Sequence, residues 1–214
     1  MGMQKLDDSS NAGSSPLPAR RKGRERRQQI IDTAKEVLMT SGITSLVLRY
    51  IAVQLGITHG NLQYYFPTKE DLLVAIFDQE LIAYTDSLHN AAKQTTSRQG
   101  RIAAILDAGL ALTKSKSTTL WRMLISFADQ RPQLAEILKK QNMRYDTEVA
   151  EELAVIIPEV SEGRRKHIAQ IVRMMLDGFS IQLTWDDPNS PEMRALESEL
   201  KVTLATWILL PEDR

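Results

Sequence analysis

Apolar residues recur at three- and four-residue spacing through most of the chain, and that spacing predicts helices nearly everywhere. Ile30, Ile31, Ala34, Val37 and Leu38 mark a first helix that stops at Gly42. A short helix over 47–55 follows, then a turn at Gly56 and a third helix over 58–65, with Thr58 able to cap it. Phe66-Pro67 ends the third helix, because proline lacks the N–H that would continue the ladder. Thr68 with Asp71 three residues on reads as a capping box with a shortened acid, opening a long helix whose apolar side carries Leu73, Ile76, Phe77, Tyr84 and Leu88. Further helices are predicted near 101–115, 118–130, 132–157, 161–186 and 191–209. Pro132, Pro158, Gly163 and the polar stretch 186–191 separate them, with Ser190 as N-cap and Pro191 as first helical residue of the last. No alternating strand pattern and no internal repeat is visible, so the fold class is all-α. Three regions follow: an arm over 1–22 too polar to offset its ordering entropy, a small helical domain over 23–68, and a larger one over 69–214.

On a 100° wheel the helix at 161–186 carries Ile168, Ile171, Val172, Met174, Met175, Leu176, Gly178, Phe179, Ile181, Leu183 and Trp185 within an arc of about 220°. An ordinary surface helix needs about 100°, so this one is expected to be covered twice, by its own domain and by a second surface. Gly178 agrees, since glycine inside a helix costs about 1 kcal/mol and is easiest to explain where two helices approach closely. A monomer core is the plainer alternative. The helix at 191–209 has Met193, Leu196, Leu200, Leu204, Trp207 and Ile208 on its apolar side. Gln182 falls inside the apolar arc, where its amide needs a partner, either a ligand or a residue across a dimer. Trp121, Phe127, Tyr145 and Met175 belong to a group of Met and aromatic residues that could line an apolar pocket or serve as core, and Asn142 is a further pocket candidate.

The 214 residues hold 27 Lys+Arg and 27 Asp+Glu, but the balance is uneven. Residues 1–75 have ten basic against seven acidic, and Arg20, Arg21, Lys22, Arg24, Arg26 and Arg27 face one acid, Glu25. Such a run is either a solvated tail or a phosphate-seeking arm, and its place just before the short helices favours phosphate. No cysteine is present and His59, His89 and His167 make no metal spacing, so no disulfide, thiolate or metal chemistry and no cofactor is expected. No apolar run approaches the roughly 18 residues of a membrane span, and Asp7 and Asp8 sit where a signal peptide would be apolar, so the expectation is a cytoplasmic protein without membrane association.

Two short helices joined by a tight glycine turn, the second opening with polar side chains, make a helix-turn-helix. Ile51, Ala52, Leu55, Ile57 and Leu62 supply the packing between them, while Thr58, His59, Asn61, Gln63, Tyr64 and Tyr65 are left to face outward and Gly60 permits close approach. A major groove about 12 Å wide accepts such a helix, and Asn or Gln pairs bidentately with adenine.

The stretch 27–73 resembles the DNA-binding domain of the TetR transcriptional regulators, through Ile30-Ile31 with Ala34, Gly42, Ile51-Ala52, Leu55-Gly56-Ile57-Thr58, Gly60, Leu62, Tyr64-Tyr65-Phe66, and Lys69-Glu70 with Leu72-Leu73. The resemblance implies an N-terminal three-helix DNA-binding domain followed by a helical ligand-binding and dimerisation domain. It implies phosphate contacts from Thr58, Tyr64, Tyr65 and Lys69, base contacts from His59, Asn61 and Gln63, and a possible guanine contact from Arg49. It also implies a four-helix bundle between two copies, for which Ile171, Met174, Gly178, Ile181, Trp185, Leu200, Leu204 and Trp207 are the candidate dimerisation residues. Two departures from the family pattern matter. Val47 and Leu48 stand where threonine is frequent, leaving the cap of the second helix missing or supplied by Ser45, and Gln63 stands where tyrosine is frequent.

The implied function is a homodimeric repressor that leaves a palindromic operator in double-stranded DNA when an unidentified small molecule occupies its C-terminal domain. A ligand-independent architectural or nucleoid-associated DNA-binding protein is the alternative. An all-helical enzyme is disfavoured, because no phosphate-binding glycine loop, metal-ligand pair or spaced carboxylate signature is present.

Overall fold

Local capping chemistry sets where the helices begin. In the computed structural model, which describes residues 17–211, Thr58 Oγ1 accepts the N–H of Asn61 at 3.1 Å. At Thr68 and Asp71 both arms of the capping box form, with backbone-to-side-chain bonds of 3.1 and 3.0 Å. Ser97, Ser161 and Ser190 each accept the backbone N–H three residues on. The order is α1 (Leu17–Ser41), a 3-10 turn (Ile43–Ser45), α2 (Leu48–Gln54), α3 (His59–Tyr65), α4 (Lys69–Ala92), α5 (Arg98–Thr113), α6 (Lys116–Ala128), α7 (Pro132–Ile156), α8 (Glu162–Gln182) and α9 (Pro191–Ile208). Among the described residues there is no strand, and no helix is long and apolar enough to cross a membrane.

Three expectations change. Residues 17–22 are not part of an arm but the first turns of α1, while 1–16, the rest of that arm, lie outside the described residues. The hydroxyl of Ser45 does not cap α2: it donates to the Ser41 carbonyl at 2.8 Å, and the N-cap position is held by Val47 without a side-chain bond. Finally, α8 ends at Gln182 rather than 186, so Trp185 belongs to the turn that follows it.

The turn between α2 and α3 follows from one glycine. Gly56 has φ 63°, its N–H donates to Val53 C=O at 3.1 Å, and Ile57 N–H reaches back to Ala52 C=O at 3.0 Å. That pair of bonds is the Schellman stop, and the left-handed residue it needs is cheapest as glycine. It aims α3 away from α2 while Ile51, Ala52 and Leu62 stay fully buried between them.

Two cores share α4. The first joins Ile30, Ile31, Ala34 and Leu38 of α1, Ile51 and Leu62 of the short helices, and Leu72, Leu73, Ile76 and Phe77 of α4 with Leu120 and Leu124 of α6 and Leu134 of α7. The second joins Leu81 and Leu88 of α4 with α5, α7, α8 and Leu204 and Ile208 of α9. The expected boundary at 68/69 is therefore a change of helix and not a break in packing.

Glycine substitutions test this reading. Gly56→Ala meets no atom within 4 Å, so its cost is conformational, about 1 kcal/mol of lost stability. Gly60→Ala, inside α3 and equally unobstructed, should add about 0.5–1 kcal/mol. Urea denaturation of the two variants checks the opposite signs.

Candidate nucleic-acid interface and internal cavity

The outer face of α3 is polar and open. His59, Gly60, Asn61, Gln63 and Tyr64 are exposed, Tyr64 at 80%. Tyr65 is half-buried against the first core and meets Tyr64 edge-on at 5.2 Å, so the two phenols stand at different angles to the same surface. Arg49 of α2 is exposed on the neighbouring helix. Because α1 starts early, its basic end runs beside α3: Lys22, Arg26 and Gln29 share an open groove with Thr58, Asn61, Tyr64 and Tyr65. Arg27 is held over the Phe66 ring at 5.0 Å, which anchors this part of α1 to the end of α3.

Lys69 departs from expectation. Its Nζ donates to the Ile43 carbonyl at 2.6 Å, and partial burial, then the charge of Arg131, hold its pKa below the usual lysine value. The ammonium therefore braces the 3-10 turn before α2 instead of standing free at the N-terminus of α4.

A second site lies inside the larger helical part. A cavity of about 120 Å³ opens between α4, the end of α5, α6, α7 and α8; Trp121, Tyr84 and Tyr145 are its aromatic walls, Glu80, Arg173 and Asp177 its charged ones, and Asn142 with hydroxyl side chains from α5, α6 and α8 its neutral polar ones. Tyr84 and Tyr145 meet edge-on at 5.5 Å, and burial pushes both phenols above the ordinary tyrosine range. Arg173 grips Asp146 with two bonds, 2.9 and 3.2 Å, and lies 3.8 Å from Asp177. Burial raises Asp177 to about 6, against the opposing pull of Arg173. Glu80, 6% exposed, pairs with Lys35 of α1, so one cavity wall is ionically tied to the helix that packs in the first core. Trp121 packs tilted on Phe77 at 5.1 Å and touches both cores.

Of the six ligand candidates, Trp121, Asn142 and Tyr145 line this cavity. The other three sit elsewhere. Phe127 packs on the first core beneath Arg131, Met175 is exposed, and Gln182 is exposed with its amide donating to Asp186 at 2.5 Å, the partner it needed lying in the turn just after α8. Glu80, Tyr84, Arg173 and Asp177 were not singled out from the sequence. Arg173 and Asp177 lie off the apolar arc of the wheel, on the side that also carries Ala169 and Ser180; those two are buried, so that side of α8 faces inward.

The wide apolar arc of α8 divides accordingly. Ile168, Val172 and Leu176 enter the second core, while Met174 at 56%, Met175, Gly178 and Ile181 remain exposed, followed by Trp185 at 65%. Ile171 is half-buried. On α9, Leu204 is 1% exposed and Leu200 packs against the same core, so both serve their own chain's interior, and Trp207 lies under the Arg164 guanidinium at 4.4 Å. Leu196 and Val202 are exposed apolar residues of α9 that the candidate set omitted.

Comparison with known proteins agrees with this geometry. Residues 30–76 match the family model for bacterial regulatory proteins, tetR family. The fatty acid metabolism regulator protein of Bacillus subtilis is 26% identical over 120 residues, 54% of this chain and 62% of that protein, so the match spans less than two thirds of it. The HTH-type transcriptional regulator BetI of Brucella melitensis is 26% identical over 80% of this chain and 87% of that protein. The multidrug binding protein EbrR, solved with imidazole, shares the fold with a TM-score of 0.60 at 24% identity, covering 88% of this chain and 98% of that one; it is also solved with proflavin.

The raised Asp177 carboxyl sets a pH signature. The folded state holds this group above its unfolded value of 3.8, so its penalty is absent in acid and complete above about 6. Asp177→Asn should raise the melting temperature at pH 7.5 and lose that gain toward pH 4. The effect should be small, since the side chain keeps 40% exposure. Thermal unfolding at the two pH values measures it.

Proposed function

We propose that this chain, which belongs to the TetR family of transcriptional regulators, is a homodimeric repressor that binds an operator of inverted-repeat symmetry and leaves it when a small molecule fills the cavity between α4, α6, α7 and α8. The observation that carries the reading is the exposed polar face of α3, held by the Thr58 cap and the Gly56 turn beside the basic start of α1. Asn61, Gln63 and His59 are suited to base edges, with Arg49 reaching from α2. Thr58, Tyr64 and Tyr65 are suited to phosphates, and Lys22 and Arg26 add charge along the same groove. Lys69 acts chiefly as a brace for the turn, with its remaining N–H groups available to a phosphate.

Dimerisation is proposed through the outer face of α8, where Ile171, Met174, Gly178, Ile181 and Trp185 form an apolar strip that the chain's own core leaves uncovered or half covered. Leu196 of α9 extends it. Two recognition helices about 34–36 Å apart would then meet successive major-groove turns. Release is proposed to run through α4, one wall of the cavity and, at its N-terminus, tied by Lys69 to the 3-10 turn that leads into α2. The relatives' names, a fatty acid regulator and a multidrug binding protein, are consistent with a small-molecule effector. The architectural reading has no use for a cavity with charged walls.

Selection from random-sequence DNA with the purified chain should return an inverted repeat. Asn61→Ala and Arg49→Ala should each weaken that site by about 1–3 kcal/mol and relax its sequence preference, while random DNA is held almost as before. Equal losses on both DNAs would remove the base-reading roles.

Gly178→Leu separates assembly from folding. A Cβ there meets no atom within 4 Å in the single chain, so the variant should fold normally, yet it should sediment as a monomer and lose tight operator binding. An intact dimer, or a monomeric wild type, would refute the interface.

A further inference from the structure

The charges around the cavity do not cancel. Lys35 is matched by Glu80, and Arg173 by Asp146, whose two oxygens take two guanidinium bonds. Asp177, at 3.8 Å from the same Arg173, is left as a surplus carboxylate on the cavity wall. Around it stand three aromatic side chains, Trp121, Tyr84 and Tyr145. An anionic occupant would meet Asp177 and Glu80 as like charges, and Arg173, whose Nε and Nη2 already serve Asp146, would have to turn its Nη1 from Asp177 to engage it. A neutral apolar occupant would take water from the inner side of Asp177 and leave it only the 3.8 Å contact with Arg173, which Asp146 already holds. A cation satisfies both features at once, because aromatic faces and carboxylates attract positive charge together. The volume is close to the roughly 150 Å³ of an apolar cavity that accepts benzene, which limits the enclosed part of the occupant to about one ring.

We propose that the occupant is a compact organic cation, a protonated or quaternary nitrogen on a body about the size of one aromatic ring, with its charge between Asp177 and Glu80 and its body against Trp121, Tyr84 and Tyr145. This rests on reading the cavity as the effector site and names the class of molecule it takes. It also gives the charge a route outward. A cation beside Glu80 competes with Lys35 for the same carboxylate, and Lys35 belongs to α1.

Calorimetry on the full chain with benzylamine, benzyl alcohol and benzoate tests it, since the three share one ring and differ in charge. Benzylamine should bind about tenfold or more tighter than benzyl alcohol, and benzoate should not bind at millimolar concentration. Asp177→Asn, an isosteric change that also removes a burial penalty, should keep the fold and bring amine and alcohol within about threefold of each other. Trp121→Leu should weaken both ligands, benzylamine the more, because the ring's attraction for the charge is lost along with its packing area. Equal wild-type affinities, no binding of benzylamine, tighter binding of benzoate, or a ratio unchanged in Asp177→Asn would each overturn the proposal. Measuring DNA affinity in the same solutions separates the two readings. Benzylamine that binds with the expected preference but leaves DNA affinity unchanged would refute release while leaving the ligand class standing. Benzyl alcohol that binds equally well and releases DNA would do the reverse.

Discussion

Everything in this molecule leans on the unbroken hydrogen-bond ladder of α4. Its 24 residues make a rod about 36 Å long, started firmly by the reciprocal Thr68–Asp71 cap. The first half buries Leu72, Leu73, Ile76 and Phe77 in the core that carries α1 to α3, and the second half buries Leu81 and Leu88 in the core that carries α8 and α9. A rod shared by two close-packed cores cannot move in one without repacking in the other. Where the two cores meet, Glu80 ties the rod to α1 and Trp121 touches both sides. The cavity lies at that junction, and this position gives its occupant leverage.

Much of this was legible in the sequence, because helix caps and turns are written in single residues with local physics. The stops at Gly42 and Gly56, the caps at Thr58, Thr68 and Ser190, and the proline starts at Pro132 and Pro191 all act over three or four residues and owe nothing to the tertiary fold. The exposed reading face of α3 was legible for the same reason. Its apolar Leu62 and polar Asn61 and Gln63 could face only one way once Ile51 and Ala52 were buried.

What stayed hidden depends on long-range partners. The start of α1 at Leu17 could not be read from an apolar pattern, since that end is basic; there Arg21 pairs with Glu25 one turn on and Arg27 lies on the Phe66 ring of a segment some forty residues away. Lys69 looked free at the start of its helix because its hydrogen-bond partner, the Ile43 carbonyl, lies 26 residues away in the chain. The place of Arg173 and Asp177 on a cavity wall was hidden because a wheel sees residue type and not the charges across a gap. Asp146 on α7 turns Arg173 inward, and Arg173 draws Asp177 toward the cavity. Gln182 misled in the opposite direction, its apolar neighbours on the wheel hiding an acid one turn ahead.

The energetic demand of the proposed mechanism fits these parts. Turning a DNA-bound population of about 99:1 into 1:99 takes roughly 5.5 kcal/mol of differential binding, and a symmetric dimer can divide that between two cavities. Each cavity must then favour the released form by about 2.7 kcal/mol, a difference comparable to what a single partly buried ion pair controls when it is made or broken. Lys35–Glu80 is such a pair, spanning the joint between α1 and α4 with its carboxylate on the cavity wall. A cation that took this carboxylate from Lys35 would leave that ammonium partly buried and without its partner, which is how occupancy would act on α1. Coupling of this form is reciprocal: DNA that holds α1 in place strengthens the Lys35–Glu80 contact and must weaken the cavity's hold on its occupant by the same factor.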